Sequence, residues 1–269
     1  TGALGLQAGY LDAEILLNLD TEDDDEIAMG CAGGIDITAG KKYSTTHPTG
    51  SKAYKITVKG LRGGHSGIDI HKGFGNANKI MNRLLFALRD KVQIAEIDGG
   101  SLRNAIPRES SAVVVVDVDV SKTFNQVKTE IIEEYRKIET NLEILLAEVV
   151  MPAVVMSSQE QDSLLKTIYT IHNGVFRMSP DIKGLVETSN NLARVLAKDG
   201  CIKILSLTRS ATEVGKMDLA HQVKSGLEMG GFTVTLDGSY PGWKPNPDSR
   251  ILKVLQAVYQ KMFNDQPKI

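Results

Sequence analysis

The chain has 269 residues, 42% hydrophobic and 24% charged, and its 31 basic and 33 acidic side chains leave a formal net charge of −2. This composition is that of a globular protein able to bury a core, without the basic footprint of a nucleic-acid binder or the roughly 20-residue apolar run of a membrane span. Cys31 and Cys201 stand too far apart for a CxxC pair, which argues against a disulfide scaffold or a cysteine zinc site and makes a cytoplasmic location the simplest reading.

The chain opens TGALGLQAGYLDAEILLNLD, which is no signal peptide and reads as a domain interior entered in mid-helix. The expectation is a segment of a longer protein. Residues 14–19 form a short apolar run that fits a buried strand ending at Asp20, and the stretch IAMGCAGG predicts a second strand. The acidic run 22–26 between them is read as a solvated loop, since like charges repel and turn to water.

Residues 53–60 alternate as a half-buried strand does, and the Gly-rich loop LRGGHSGIDIHKGFG follows. Residues 76–89 carry helical periodicity, with Ile80, Leu84, Leu85 and Leu88 on one face. Strands are predicted over 92–98, 111–120 and 142–150, with an amphipathic helix over 123–138. The order then restarts: a helix over 163–173, strands over 185–196 and 201–208 joined at the hairpin signal Asp199-Gly200, a helix over 214–229 closed by Gly230-Gly231, and a strand over 232–236. The predicted fold is therefore a duplicated β-α-β-β-α-β unit of the ferredoxin-like kind, an antiparallel sheet with helices on one face. The repeats run over about 43–151 and 152–237, and the second takes the short apolar segment 153–156 as its first strand. Pro-rich YPGWKPNPDS reads as a linker or active-site loop before a last helix over 250–263.

Four residues stand out chemically. Asp20 closes an apolar strand, where carboxylates in α/β sheets are placed to bind metals; a surface Asp opening an acidic loop competes with that reading. His65 lies among glycines in GGHSG, at a turn tip from which an imidazole can donate to a developing oxyanion; an exposed turn histidine is the alternative. Asn104, in SLRNAIP, has an amide suited to a substrate carbonyl or carboxylate, or it is a turn Asn. Arg209 ends a strand with a guanidinium fork that suits a carboxylate, or it is a salt-bridged edge residue.

Taken together, LNLDTEDDDEIAMGCAGGID, LRGGHSGIDIHKGFGNANKIMNRLL, SLRNAIPRE, VETSNN and GSYPGWKPNPDS make the chain resemble the aminoacyl-histidine (Xaa-His) dipeptidases. These belong to the carnosinase and carboxypeptidase G2-like metallopeptidase clan. The resemblance runs over essentially the whole chain. It implies an α/β catalytic domain with two divalent metals, zinc first and manganese or cobalt as alternatives, into which a duplicated lid is inserted. It implies a dipeptide substrate and a homodimer, with no nucleic acid and no membrane. By resemblance, 1–42 and 238–269 are catalytic-domain stubs and 43–237 is the lid and dimerisation domain. Asp20 becomes a metal ligand, His65 the stabiliser of the tetrahedral intermediate, and Asn104 and Arg209 the substrate-binding pair. The family's His-x-Asp motif, bridging Asp, Glu-Glu pair and final metal-binding His have no counterpart in the sequence, which implies that the segment is inactive alone. A non-catalytic ferredoxin-like binding or dimerisation module is the competing class.

Overall fold

A computed structural model describes residues 9–10, 12–19 and 24–269. Contacts divide the chain into a larger unit, Ala32–Trp243, and a smaller one made of Thr1–Cys31 with Lys244–Ile269.

The larger unit contains, in chain order, β1 (Gly33–Lys42), β2 (Thr45–Thr46), β3 (Lys52–Lys59), α1 (Ala77–Leu88), β4 (Val92–Gly100), β5 (Ser110–Val116), α2 (Ser121–Tyr135) and β6 (Glu143–Val149). There follow β7 (Val155–Met156), α3 (Ser158–Thr170), β8 (Gly174–Met178), β9 (Val186–Lys198), β10 (Cys201–Ser210), α4 (Glu213–Met229) and β11 (Thr233–Tyr240). Nine strands form one antiparallel sheet in the order β11-β1-β10-β9-β4-β5-β3-β6, with β8 added alongside the first half of β9.

The local signals act as the physics requires. Asn76 caps α1 by accepting from the amides of Asn78 and Lys79, and Ile80, Leu84, Leu85 and Leu88 on its inner face are buried. Asp199 and Gly200 both take positive φ, 50° and 74°, so the β9–β10 hairpin turns through the two-residue loop that matches strand twist. Alternate residues of β1 (Ile35, Ile37, Ala39), β3 (Ile56, Val58) and β10 (Ile202, Ile204) join the inner faces of α1 and α4 in one continuous core.

Three sequence expectations are corrected. The first concerns the repeat. The strand expected at 153–156 is only Val155–Met156, and it pairs with Thr45–Thr46 in a separate two-stranded ribbon. The place foreseen for it is taken by β1, which runs between β10 and β11. The sheet unit therefore begins at Ala32, not at 43, and the run β3-α1-β4-β5-α2-β6 is inserted between β1 and α3. Each half then shows the same spatial order: β4-β5-β3-β6 in one, β9-β10-β1-β11 in the other. A two-residue ladder cannot anchor a helix, whereas the alternating GGIDITAGKK offers a full inner face.

The second concerns the stretch IAMGCAGG, whose strand starts only at Gly33. The third concerns the apolar run at 14–19. It forms no strand among the described residues, and Ile15, Leu16, Leu17 and Leu19 are exposed. An apolar run becomes a strand only where a neighbour satisfies its backbone. In the smaller unit, α5 (Arg250–Phe263) falls where predicted, and a parallel bridge joins Glu26 to Lys268.

Candidate functional site

The Gly-rich loop between β3 and α1 is tied at both ends by one buried carboxylate. Glu139, 2% exposed, accepts from the Arg62 amide through Oε2 and from the Gly75 amide through Oε1, each at 2.8 Å. Within the loop, Gly63 and Gly64 take φ of 66° and 138°, which only glycine adopts without strain. A methyl group on Gly64 would also stand 2.7 Å from Asp69 Oδ2. That approach lets Asp69 accept from the His65 amide at 2.7 Å, while its own amide donates to the His65 carbonyl at 2.9 Å. The Lys72 ammonium, and then the His65 amide, hold the Asp69 carboxyl below the ordinary carboxylate range.

This frame fixes the imidazole. His65 Nδ1 accepts from the amides of Gly67 and Ile68, each at 3.3 Å. A nitrogen that accepts carries no proton, so in the neutral ring the proton sits on Nε2.

The SLRNAIP loop lies against the same turn. His65 and Ala105 form a β-bridge, the Ser66 amide donates to the Asn104 carbonyl at 2.8 Å, and the Ile106 amide donates to the Gly64 carbonyl at 2.9 Å. The loop is strapped across the other half of the sheet. Arg103 donates to the carbonyls of Ile37 and Ser206 and to Thr38 Oγ1, and pairs with Asp36 at 3.2 Å. From β9, Asn191 Nδ2 donates to the carbonyls of Arg103 and Ala105. Asn104 itself is exposed.

Arg209 comes to the same place from β10. A methyl group at Gly67 would stand 3.2 Å from His65 Cε1 and 3.4 Å from Arg209 Cδ. The glycine is thus the space in which the two side chains approach each other. Arg209 donates through Nη1 to the Tyr240 hydroxyl at 3.0 Å. Beneath Tyr240, the buried Lys216 ammonium donates to the Tyr240 carbonyl at 2.8 Å and to Ser239 Oγ at 3.0 Å, and pairs with Glu213.

The structure therefore brings His65, the Asn104 backbone and Arg209 into one cluster, although they are far apart in sequence. Asp20 lies outside the described residues. Among the described residues no group of three or more His, Cys, Asp or Glu side chains could hold a metal ion, so they do not fit a two-metal centre by themselves. Glu139, Arg103, Asn191 and Tyr240 are absent from the sequence-based set. The first three act on backbone groups far along the chain, and no local pattern announces that.

Residues 49–141 match the model of the peptidase dimerisation domain, M20 type. The particular relatives are dipeptidases. The whole chain aligns with the cytosol non-specific dipeptidase of Escherichia coli K12 at 39% identity and covers 57% of it. The crystal structure of aminoacylhistidine dipeptidase from Vibrio alginolyticus matches with a TM-score of 0.94 at 37% identity, over 99% of this chain and 56% of that one. The chain is related to these two dipeptidases and spans somewhat more than half their length.

Proposed function

We propose that this chain is the lid-bearing segment of a metal-dependent dipeptidase that cleaves Xaa-His dipeptides. In this reading its sheet is a pair of ferredoxin-like units, 32–243 is the lid, and the remaining residues are part of the catalytic domain. The whole enzyme works as a cytoplasmic homodimer with two divalent ions, zinc in the first place, and Asp20 is one of their ligands. The described residues of this chain contribute substrate recognition and charge stabilisation.

One observation carries the reading: His65 and Arg209 converge on Gly67, with the imidazole held so that Nε2–H is the donor. A donor fixed in advance stabilises an oxygen that gains negative charge in the transition state without reorganising. A guanidinium beside it suits the C-terminal carboxylate of a short peptide. The separation between donor and cation then measures the substrate, which favours dipeptides over longer chains. Asn104, at the bridge between the two loops, is assigned to the substrate's amide or carboxylate.

The test uses the whole protein that contains this segment. His65→Ala is expected to lower kcat on an Xaa-His dipeptide by about 100-fold or more, the loss typical of a removed oxyanion donor, with folding intact. Turnover within a few-fold of wild type would remove His65 from the mechanism.

A further inference from the structure

Arg209, Gly34 and Tyr240 form one row across three strands: Gly34 of β1 is the register partner of Arg209 on β10 and of Tyr240 on β11. A side chain on Gly34 would separate the other two. A methyl group there would stand 2.5 Å from the Tyr240 hydroxyl oxygen and 2.6 Å from its Cζ. The glycine thus lets the phenol ring lie across β1 and reach the guanidinium. The backbone of Tyr240 is anchored from beneath by the buried Lys216, so the ring starts from a fixed point.

The hydrogen-bond direction matters. Arginine only donates, so the 3.0 Å contact uses a lone pair of the phenol oxygen. Among the described residues no other hydrogen-bond partner of that hydroxyl is found, and Tyr240 is 39% exposed. Its proton is therefore left to donate to an acceptor that arrives from solvent beside Arg209. A carboxylate suits that pair: its two oxygens can accept from the phenol and the guanidinium at once, and its charge strengthens both bonds.

We infer that Tyr240, laid over Gly34, is a second recognition group for the substrate carboxylate held by Arg209, and so selects for a free C-terminus. This rests on the assignment of Arg209 in the proposed function. It adds a charge-assisted O–H donor to a guanidinium fork, and it gives the GSYPGW segment a role in specificity.

The experiment titrates the whole protein that contains this segment, stripped of metal so that neither ligand is turned over, with β-alanyl-histidine and with the same dipeptide as its C-terminal amide. Binding is read from the NMR signals of the Arg209 guanidinium and the Tyr240 ring. Wild type is expected to bind the acid more tightly than the amide. Tyr240→Phe removes only the hydroxyl and is expected to weaken the acid about tenfold while leaving the amide unchanged. Gly34→Ala pushes the ring aside and is expected to give the same selective loss. A general structural disturbance would weaken both ligands together and would overturn the inference. If Tyr240→Phe keeps the full preference for the acid, Tyr240 has no part in recognition and the assignment of Arg209 stands. If wild type binds acid and amide alike, or neither, both the inference and the role of Arg209 fall.

Discussion

Glu139 shows how much of the candidate site depends on a residue outside the cluster of His65, Asn104 and Arg209. Its two oxygens are the acceptors for the first and last anchored amides of the loop that carries His65. Buried amides without acceptors cost about 1–3 kcal/mol each. Glu139→Gln keeps one acceptor and turns an NH2 group toward the other amide, so it is expected to cost about 2 kcal/mol. The loss should be concentrated in the loop. Amide exchange at Arg62 and Gly75 should accelerate more than at Ile80 or Leu84 in α1. Unchanged protection at Arg62 and Gly75 would show that the loop is held by other contacts. The same scale explains what the sequence made legible. GGHSG announced a turn with a histidine at its tip, because glycines flanking a histidine are a local signal. Glu139 announced nothing, because its partners are backbone amides 77 and 64 residues away.

Lys79 links two helices and carries a pH signature. Its ammonium sits on α1 and donates to the carbonyls of Ile168 and Ile171, where α3 ends with carbonyls lacking helical partners. Burial pushes its pKa down to about 8. The unfolded lysine titrates near about 10.4, so between these values the unfolded state binds more protons than the native state. Stability contributed at this site therefore rises with pH above about 8, where the neutral amine can still donate to both carbonyls. Lys79→Met should destabilise by about 1–3 kcal/mol at neutral pH, because it orphans those acceptors. The stability difference between wild type and variant should also widen from about pH 8 to about 9.5. Urea midpoints for both proteins over that range measure it; a constant difference would mean that Lys79 has an unshifted pKa. The comparison stops below about pH 10, because burial raises the phenols of Tyr43 and Tyr135 and their ionisation acts in the opposite sense. Elements of this kind were readable from sequence where the signal was local: the period of α1, the Asp199-Gly200 turn, the bounds of α5. The role of β1 was not, because its neighbours, Cys201–Ser210 and Thr233–Tyr240, lie at the far end of the chain.

At the scale of the larger unit the question is whether its two halves are one object or two. The seam is short: β4 and β9 pair over four positions, from Ile97 opposite Ala197 to Gly100 opposite Arg194. It is reinforced from both sides. Arg194 donates to Asp98 and to the Gly100 carbonyl, and Arg103 reaches from the first half into β1 and β10. Gly100 takes φ of 71°, and a methyl group there would stand 1.8 Å from the Ala193 carbonyl oxygen, so the backbones meet as closely as glycine allows. The core beneath is continuous, with Ile56 and Val114 of one half in the same cluster as Ile37 and Ile204 of the other. Opening either half exposes the apolar surface of both, so the unit is expected to open as one. Amides of Ile37, Ile56, Val114 and Ile204 should then report a common opening free energy in native-state hydrogen exchange. Gly100→Ala combines a positive φ with a backbone clash and should lower that common value by about 3 kcal/mol. A variant in which one half loses protection while the other keeps it would show that each half is stable alone. In that case the cluster of His65, Asn104 and Arg209, which draws on both halves, would be held by the Arg103 and Asn191 straps and not by the core.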